Sequence, residues 1–244
     1  MISYNVEGLL KHLHTVAEMI DNYHPSIVMM QETKCHKLEE LSIASKIGRD
    51  RYFTLNSNDQ YQDVMAERLE TNSSTAIHGT GMIINKEKAG KDFKIYDPTT
   101  PRIQHMRLNN INYINTYLPT RDDSAEGQEK LLEALGDLET ILEPLRGEPI
   151  LIAGDFNVGK HHGPWRKDQF TKLFSRHNLE FHSPQEPTNF PRGKGIPAAL
   201  DHLACTNHFT NVTYEILDRS KVPINVSTHV PVKWCYTVHC GRPL

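Results

Sequence analysis

The chain has 244 residues, enough for one sizeable domain with a well-buried core, and its 38% hydrophobic and 23% charged residues describe an ordinary globular protein. No apolar stretch approaches the ~20 residues of a membrane-crossing helix, and the opening MISYNVEGLL lacks the basic and long apolar regions of a signal peptide, so the expectation is an intracellular protein, neither secreted nor membrane-bound. A net charge of −3 gives no overall basic footprint for nucleic acid, although Gly159 to Lys194 carries seven basic residues against three acidic ones.

The first element, ISYNVEG, is a short apolar run ending in Asn5 and Glu7. Leu9, Leu10, Leu13, Val16, Ile20 and Tyr23 then recur at helical spacing and predict an amphipathic helix with Lys11, Glu18 and Asp21 in water. SIVMMQETK sets Glu32 behind the apolar stretch Ile27 to Met30. From Asn56 to His78 the chain is polar without a clear period, which predicts a long loop or insertion, with a short helix around Val64 to Leu69, before the strand GTGMIIN. INYINTYLP places Tyr117 just before a proline.

Asp123 or Ser124 caps a second predicted helix, whose Leu131, Leu132, Leu135, Leu138, Ile141, Leu142 and Leu145 form a broad apolar face and which Pro144 bends or ends. EPILIAGDFNVG delivers Asp155 and Asn157, and Phe170, Leu173 and Phe174 mark a third, weaker helix. AALDHLACT delivers Asp201, and VSTHVPV delivers His229. Apolar runs too short for helices, rich in Ile, Val, Leu and Met, read as central strands covered on both faces. Alternation with helices makes the class α/β or α+β, in one domain over residues 1–244, with the polar strand ends gathered at one edge.

A strand-end Glu or Asn taken singly is more often a surface or capping residue; the set carries the chemistry. Carboxylates and amides suit a hard cation such as Mg²⁺, and Glu32 with Asn5 and Glu7 makes such a partial site. Asp155 and Asn157, two apart on extended chain, point the same way, so a carboxylate can handle an attacking water while an amide N–H holds a phosphoryl oxygen; the structural alternative for the pair is a plain Asx turn. Asp201 is the candidate partner that fixes the tautomer of His229. The four cysteines form no C-x-x-C pair, and reduced thiols are the default.

In their order and spacing, SYNVEGL, MMQETK, NTYLP, AGDFNV, LDHLA and STHVPV resemble the endonuclease/exonuclease/phosphatase superfamily from Ser3 to Val232. QETK and NVEGL are most similar to its apurinic/apyrimidinic-endonuclease branch, which includes the endonuclease domains of non-LTR (LINE-type) retrotransposons. The resemblance implies a four-layered α/β sandwich of the DNase I-like kind, two packed mixed sheets flanked by helices. It also implies roles: Glu32, Asn5 and Glu7 hold one Mg²⁺ or Mn²⁺, Tyr117 and Asn157 contact the scissile phosphate, Asp155 activates water, and Asp201 orients His229. Thr188, in PTNFPRGKG, matches a Thr-x-Phe block and with Arg192, Lys194 and Thr228 is expected to meet double-stranded DNA.

The implied reaction nicks DNA to leave 3′-hydroxyl and 5′-phosphate ends, acting in the nucleus and priming a reverse transcriptase domain of the same polypeptide. The start of the first strand, almost at Ser3, fits a domain excised from a longer chain. A stand-alone repair enzyme for abasic sites and a catalytically silent DNA-binding module are the alternatives. One position departs from the pattern: the family has Ser-Asp-His where this chain has Ser227, Thr228 and His229. An uncharged hydroxyl is a poor metal ligand, so the expectation is weakened cation affinity rather than lost activity.

Overall fold

The structure is a computed structural model that describes residues 1–35, 39–47, 51–56, 78–89, 93–96, 100–120, 122–217 and 227–239. The helix expected around Val64 to Leu69, and nearly all of the loop around it, lie outside the described residues.

The apolar runs are buried on both sides, as continuous apolar strands require. In β2 (Ile27–Gln31) Ile27 and Met29 face one layer while Val28 and Met30 face another; in β8 (Ile150–Asp155) Leu151 and Ala153 oppose Ile150 and Ile152 in the same way. The inward set of each sheet meets the inward set of the other. The outward sets are covered by helices: α1 (Leu9–Tyr23) and α2 (Glu40–Ile47) on one side, α4 (Ala125–Leu142) and α5 (Pro164–Arg176) on the other. Four layers result, helix, sheet, sheet, helix. Each fully buried Leu, Ile or Met side chain contributes roughly 1.5–3 kcal/mol relative to exposure.

Among the described residues the first sheet runs β11 (Phe209–Ile216), β12 (Val232–Val238), β1 (Ile2–Asn5), β2, β4 (Thr80–Asn85), β3 (Arg51–Asn56). The second runs β5 (Phe93–Ile95), β6 (Ile103–Leu108), β7 (Ile111–Tyr117), β8, β10 (Asp201–Thr206), β9 (Leu179–His182). Both are mixed, with parallel central pairs β1–β2 and β7–β8 and antiparallel neighbours. A one-turn helix, α3 (Lys86–Ala89), follows β4. Among the described residues no helix is long and apolar enough to cross a membrane.

The helix predicted over Leu9 to Tyr23 is present, with Leu9, Leu13, Val16 and Ile20 buried; Leu10, counted in the same stripe, is 45% exposed. Ser124 is the cap of α4, its Oγ accepting from Gly127 N at 3.1 Å, and Pro144 sits in the 3₁₀ turn that ends the helix. Leu132, assigned to the apolar face, is instead 48% exposed.

A buried polar bridge ties the two sheets together behind the strand ends. Gln31 Nε2 donates to Asn115 Oδ1 at 2.7 Å and to Ser3 Oγ at 3.2 Å, and Asn115 Nδ2 donates to the carbonyls of Met30 and Gly81. Such a group fixes how one sheet sits on the other, because breaking it strands buried donors and acceptors.

Candidate active site

Register brings the predicted residues together. Parallel β7 and β8 put Tyr117 opposite Asp155, antiparallel β8 and β10 put Asp155 opposite Asp201, and parallel β1 and β2 put Asn5 opposite Gln31, one residue before Glu32. The β7–β8 approach depends on Gly154, where an added Cβ would lie 1.9 Å from Thr116 O. Three of the expected residues, Glu7, Glu32 and Asn157, hold left-handed backbone at φ of 47°, 49° and 49°. That conformation costs non-glycine residues energy and clusters where side chains are aimed for a purpose.

Asn5 is the hub. Its Nδ2 donates to Glu32 Oε1 at 2.9 Å and to Asp155 Oδ2 at 3.0 Å, while its Oδ1 accepts from Glu7 N at 3.1 Å. Asp155 Oδ1 accepts from Asn157 N at 2.9 Å, and Asn157 Nδ2 donates to Leu118 O at 2.9 Å. His229 lies between two carboxylates: Nδ1 is 2.8 Å from Asp201 Oδ2 and Nε2 is 3.6 Å from Asp155 Oδ2. Burial alone would push the imidazole pKa down, but Asp201 and then Asp155 outweigh it and raise it. Burial likewise raises Asp155, an effect that His229 moderates. For Glu32 burial opposes ionisation, but Lys34 and Asn5 outweigh it and hold its pKa below the ordinary value. Burial, then the charges of Glu32 and Asp155, keep the Tyr117 phenol protonated.

One expectation needs correcting. Thr188, expected to meet DNA, is fully buried: its Oγ1 donates to Asp201 Oδ2 at 2.6 Å and accepts from the backbone N–H groups of Leu200 and Asp201. Asp201 is thereby held by Thr188 on one side and His229 on the other. The basic stretch from Gly159 to Lys194 is also no single face. Arg166 is buried and donates to the carbonyls of Pro119 and Phe156, Lys172 pairs with Asp168, and Arg176 pairs with Glu139. Arg192 and Lys194 are exposed, with Arg192 Nη2 3.5 Å from Glu7 Oε2.

Thr228 donates its hydroxyl to Glu7 Oε1 and accepts from Asn189 Nδ2 at 3.0 Å. Glu7 therefore turns toward Thr228 and Arg192, and Asn5 shows Glu32 its amide N–H rather than its oxygen. Of the three expected ligands, Glu32 is the one that presents a carboxylate to the hub. The fit to a hard cation rests on two observations: the Glu32 and Asp155 carboxylates converge on Asn5 Nδ2, and the Lys34 ammonium already rests 2.8 Å from Glu32 Oε2. A separate acidic group, Glu139, Glu143 and His177, has ligand atoms within 4.8 Å of one another, but it belongs to the outer helices, and its carboxylates pair with Arg176 and Arg146.

Sequence reasoning missed Lys34, His78, Arg102 and Asn189. Arg102 lies 5.1 Å from the Tyr117 ring, and its Nη2 is 3.0 Å from His78 Nε2. Lys34 stands inside the quoted QETK block and was within reach of the sequence. The other three are assembled by loops distant in the chain.

The sequence pattern described as the Endonuclease/Exonuclease/phosphatase family matches residues 2–229. No curated protein matches the chain. Among solved structures, a 3′ phosphatase from Neisseria bound to a product DNA hairpin is similar at 15% identity and a TM-score of 0.73, covering 97% of this chain and 98% of that one. An AP endonuclease from Leishmania major is similar at 14% identity and a TM-score of 0.75, covering 98% and 87%. Another, from Archaeoglobus fulgidus, stands at 18% and 0.69, covering 97% and 98%. These likenesses establish the fold, a DNase I-like sandwich of two mixed sheets flanked by helices.

Proposed function

The chain belongs to the endonuclease/exonuclease/phosphatase family, and on that premise we propose that it is a divalent-metal-dependent nuclease that nicks DNA to leave 3′-hydroxyl and 5′-phosphate ends. The observation that carries the reading is the buried run Asn5–Asp155–His229–Asp201–Thr188, in which each side chain is aimed by the next. Such pre-aimed charge is what phosphodiester hydrolysis needs, since the bond is strong and the transition state heavily charged.

Asp155 takes a proton from a water as its oxygen attacks phosphorus. The bond from phosphorus to the leaving O3′ breaks, and O3′ takes a proton from solvent. His229, protonated between two carboxylates, sets a positive charge beside the phosphoryl oxygens. Asp201, fixed by Thr188, keeps the ring in place, and Asn157 and the neutral Tyr117 phenol offer N–H and O–H donors at the strand ends. Glu32 would hold Mg²⁺ or Mn²⁺, which when bound supplies Lewis-acid offset of the growing charge.

The blocks QETK and NVEGL support a finer reading: the chain is the target-site endonuclease of a non-LTR retrotransposon, whose nick primes reverse transcription. The AP endonuclease structures it resembles favour repair cleavage at abasic sites as the second reading. Cutting a plain duplex and one with a single abasic nucleotide in Mg²⁺ and in Mn²⁺ tests both, with extension of the product by a polymerase reporting a free 3′-hydroxyl. Equal cutting of the two duplexes supports the first reading, and cutting confined to the abasic duplex supports the second. Ends that no polymerase extends contradict the proposed chemistry.

A further inference from the structure

On the outer face of the second sheet, α5 and the edge strand β9 leave a cavity of about 460 Å³, within the range of small-molecule sites. Phe181 and His202 share that face, because Phe181 pairs in register with Ala204, which packs among the helices, and His202 lies two residues from it on the same strand. The walls are aromatic. The Phe181 ring is 5.7 Å from Phe174 and 4.8 Å from His202, yet Phe181 remains 41% exposed. Lys160 and Lys167, both exposed, stand at the rim, and the wall continues through Val158 and Gly159 directly from Asn157 of the candidate site.

His202 adds a neutral ring to that wall. Its Nε2 lies 2.6 Å from Val158 O, and a carbonyl only accepts, so Nε2 carries the proton. Burial lowers the ring's pKa to about 4 and keeps it neutral, leaving Nδ1 a bare acceptor. That atom has no hydrogen-bond partner and is itself closed to solvent, so His202 gives the cavity a neutral ring rather than a polar contact. A matching ligand has a flat apolar body for the rings and an anion for two lysines. A nucleobase with its phosphate has both.

Resting on the nuclease reading, we propose that this cavity receives one unpaired nucleobase of the strand being cleaved, stacked on Phe181 beside the His202 ring, with its phosphate on Lys160 and Lys167. Stacking of this kind tolerates any base, because every base has a flat face. The pocket thus holds a strand next to the strand ends without reading its sequence.

The test titrates the full chain carrying Asp155→Ala with the 5′-monophosphate of 2-aminopurine deoxyribonucleoside, followed by fluorescence. The expected result is saturable quenching, weakened about tenfold by Phe181→Ala and at least about threefold by Lys167→Met. A single-stranded oligodeoxynucleotide should compete for the site, and 2-deoxyribose 5-phosphate should not. Absence of saturable quenching, unchanged affinity in the lysine variant, or equal competition by the sugar phosphate overturns the proposal. A mononucleotide that binds while the oligonucleotide fails to compete overturns the assignment to the cleaved strand. Lys167 is exposed, so its variant decides the matter even where Phe181→Ala does not fold. Nicking by the unmodified chain without nucleotide binding removes this proposal and leaves the nuclease reading; nucleotide binding without nicking overturns the nuclease reading and, with it, the assignment to a cleaved strand.

Discussion

His229 Nδ1 lies 2.8 Å from Asp201 Oδ2, and the same oxygen accepts the hydroxyl of Thr188 at 2.6 Å. One buried carboxylate oxygen thus fixes a threonine and a histidine brought from different loops. Asp201 comes first among the influences that raise the His229 pKa above its ordinary 6.5, to about 9, against the opposing effect of burial.

The pH dependence follows from that sign. A folded pKa above the unfolded one means the imidazolium stabilises the fold fully below about 6.5, and that contribution is lost as pH rises through about 9. Cleavage rate should fall over the same alkaline limb, because the positive charge beside the phosphate is lost. Asp201→Asn should move the limb toward lower pH and cut kcat/KM by about 10²-fold or more. A pH–rate profile of both proteins checks this; an unmoved limb means that another group titrates.

The pairing of Thr228 with Glu7 makes a second prediction. Thr228→Asp would set two carboxylates against each other, destabilising the metal-free protein by roughly 1–3 kcal/mol. A divalent cation should then restore more stability to this variant than to the unmodified chain, and the cation concentration for half-maximal nicking should fall. Thermal unfolding in EDTA and in increasing Mn²⁺ measures both quantities.

Gly154→Ala tests the close approach of β7 and β8. A Cβ at 1.9 Å from Thr116 O cannot be accommodated without moving the strand that carries Asp155. Urea unfolding should show a loss of at least about 2 kcal/mol, with nicking reduced beyond the unfolded fraction.

His202 governs the acid side. Its folded pKa is depressed from 6.5 to about 4, chiefly by burial. The unfolded chain therefore binds a proton that the folded chain refuses, so stability is present above about 6.5 and is lost as pH falls toward about 4, by about 3 kcal/mol. His202→Gln should flatten this part of the stability curve, as read by urea midpoints between pH 7 and pH 4.

What the sequence made legible was local. The period of Leu9 to Tyr23, the Ser124 cap and the polar residues ending each apolar run reflect short-range chemistry, and the strand ends do meet. Thr188 was misread because its neighbours Arg192 and Lys194 are solvated, whereas its own hydroxyl faces a strand 13 residues further on. The basic count likewise mixed a buried structural arginine, Arg166, with exposed lysines. α2 and the two-faced burial of β6 carry too weak a period to stand out, because their burial is decided by elements far away in the chain. Arg102, His78 and Asn189 reach the site through loops that local pattern cannot place.

Nicking of supercoiled plasmid in Mn²⁺ by the unmodified chain and by Asp155→Asn tests the central claim most directly. The account predicts open circles from the first protein and, with the fold intact by circular dichroism, a loss of at least about 10³-fold from the second. Equal nicking by both proteins, or none from the unmodified chain at any cation concentration, would contradict it.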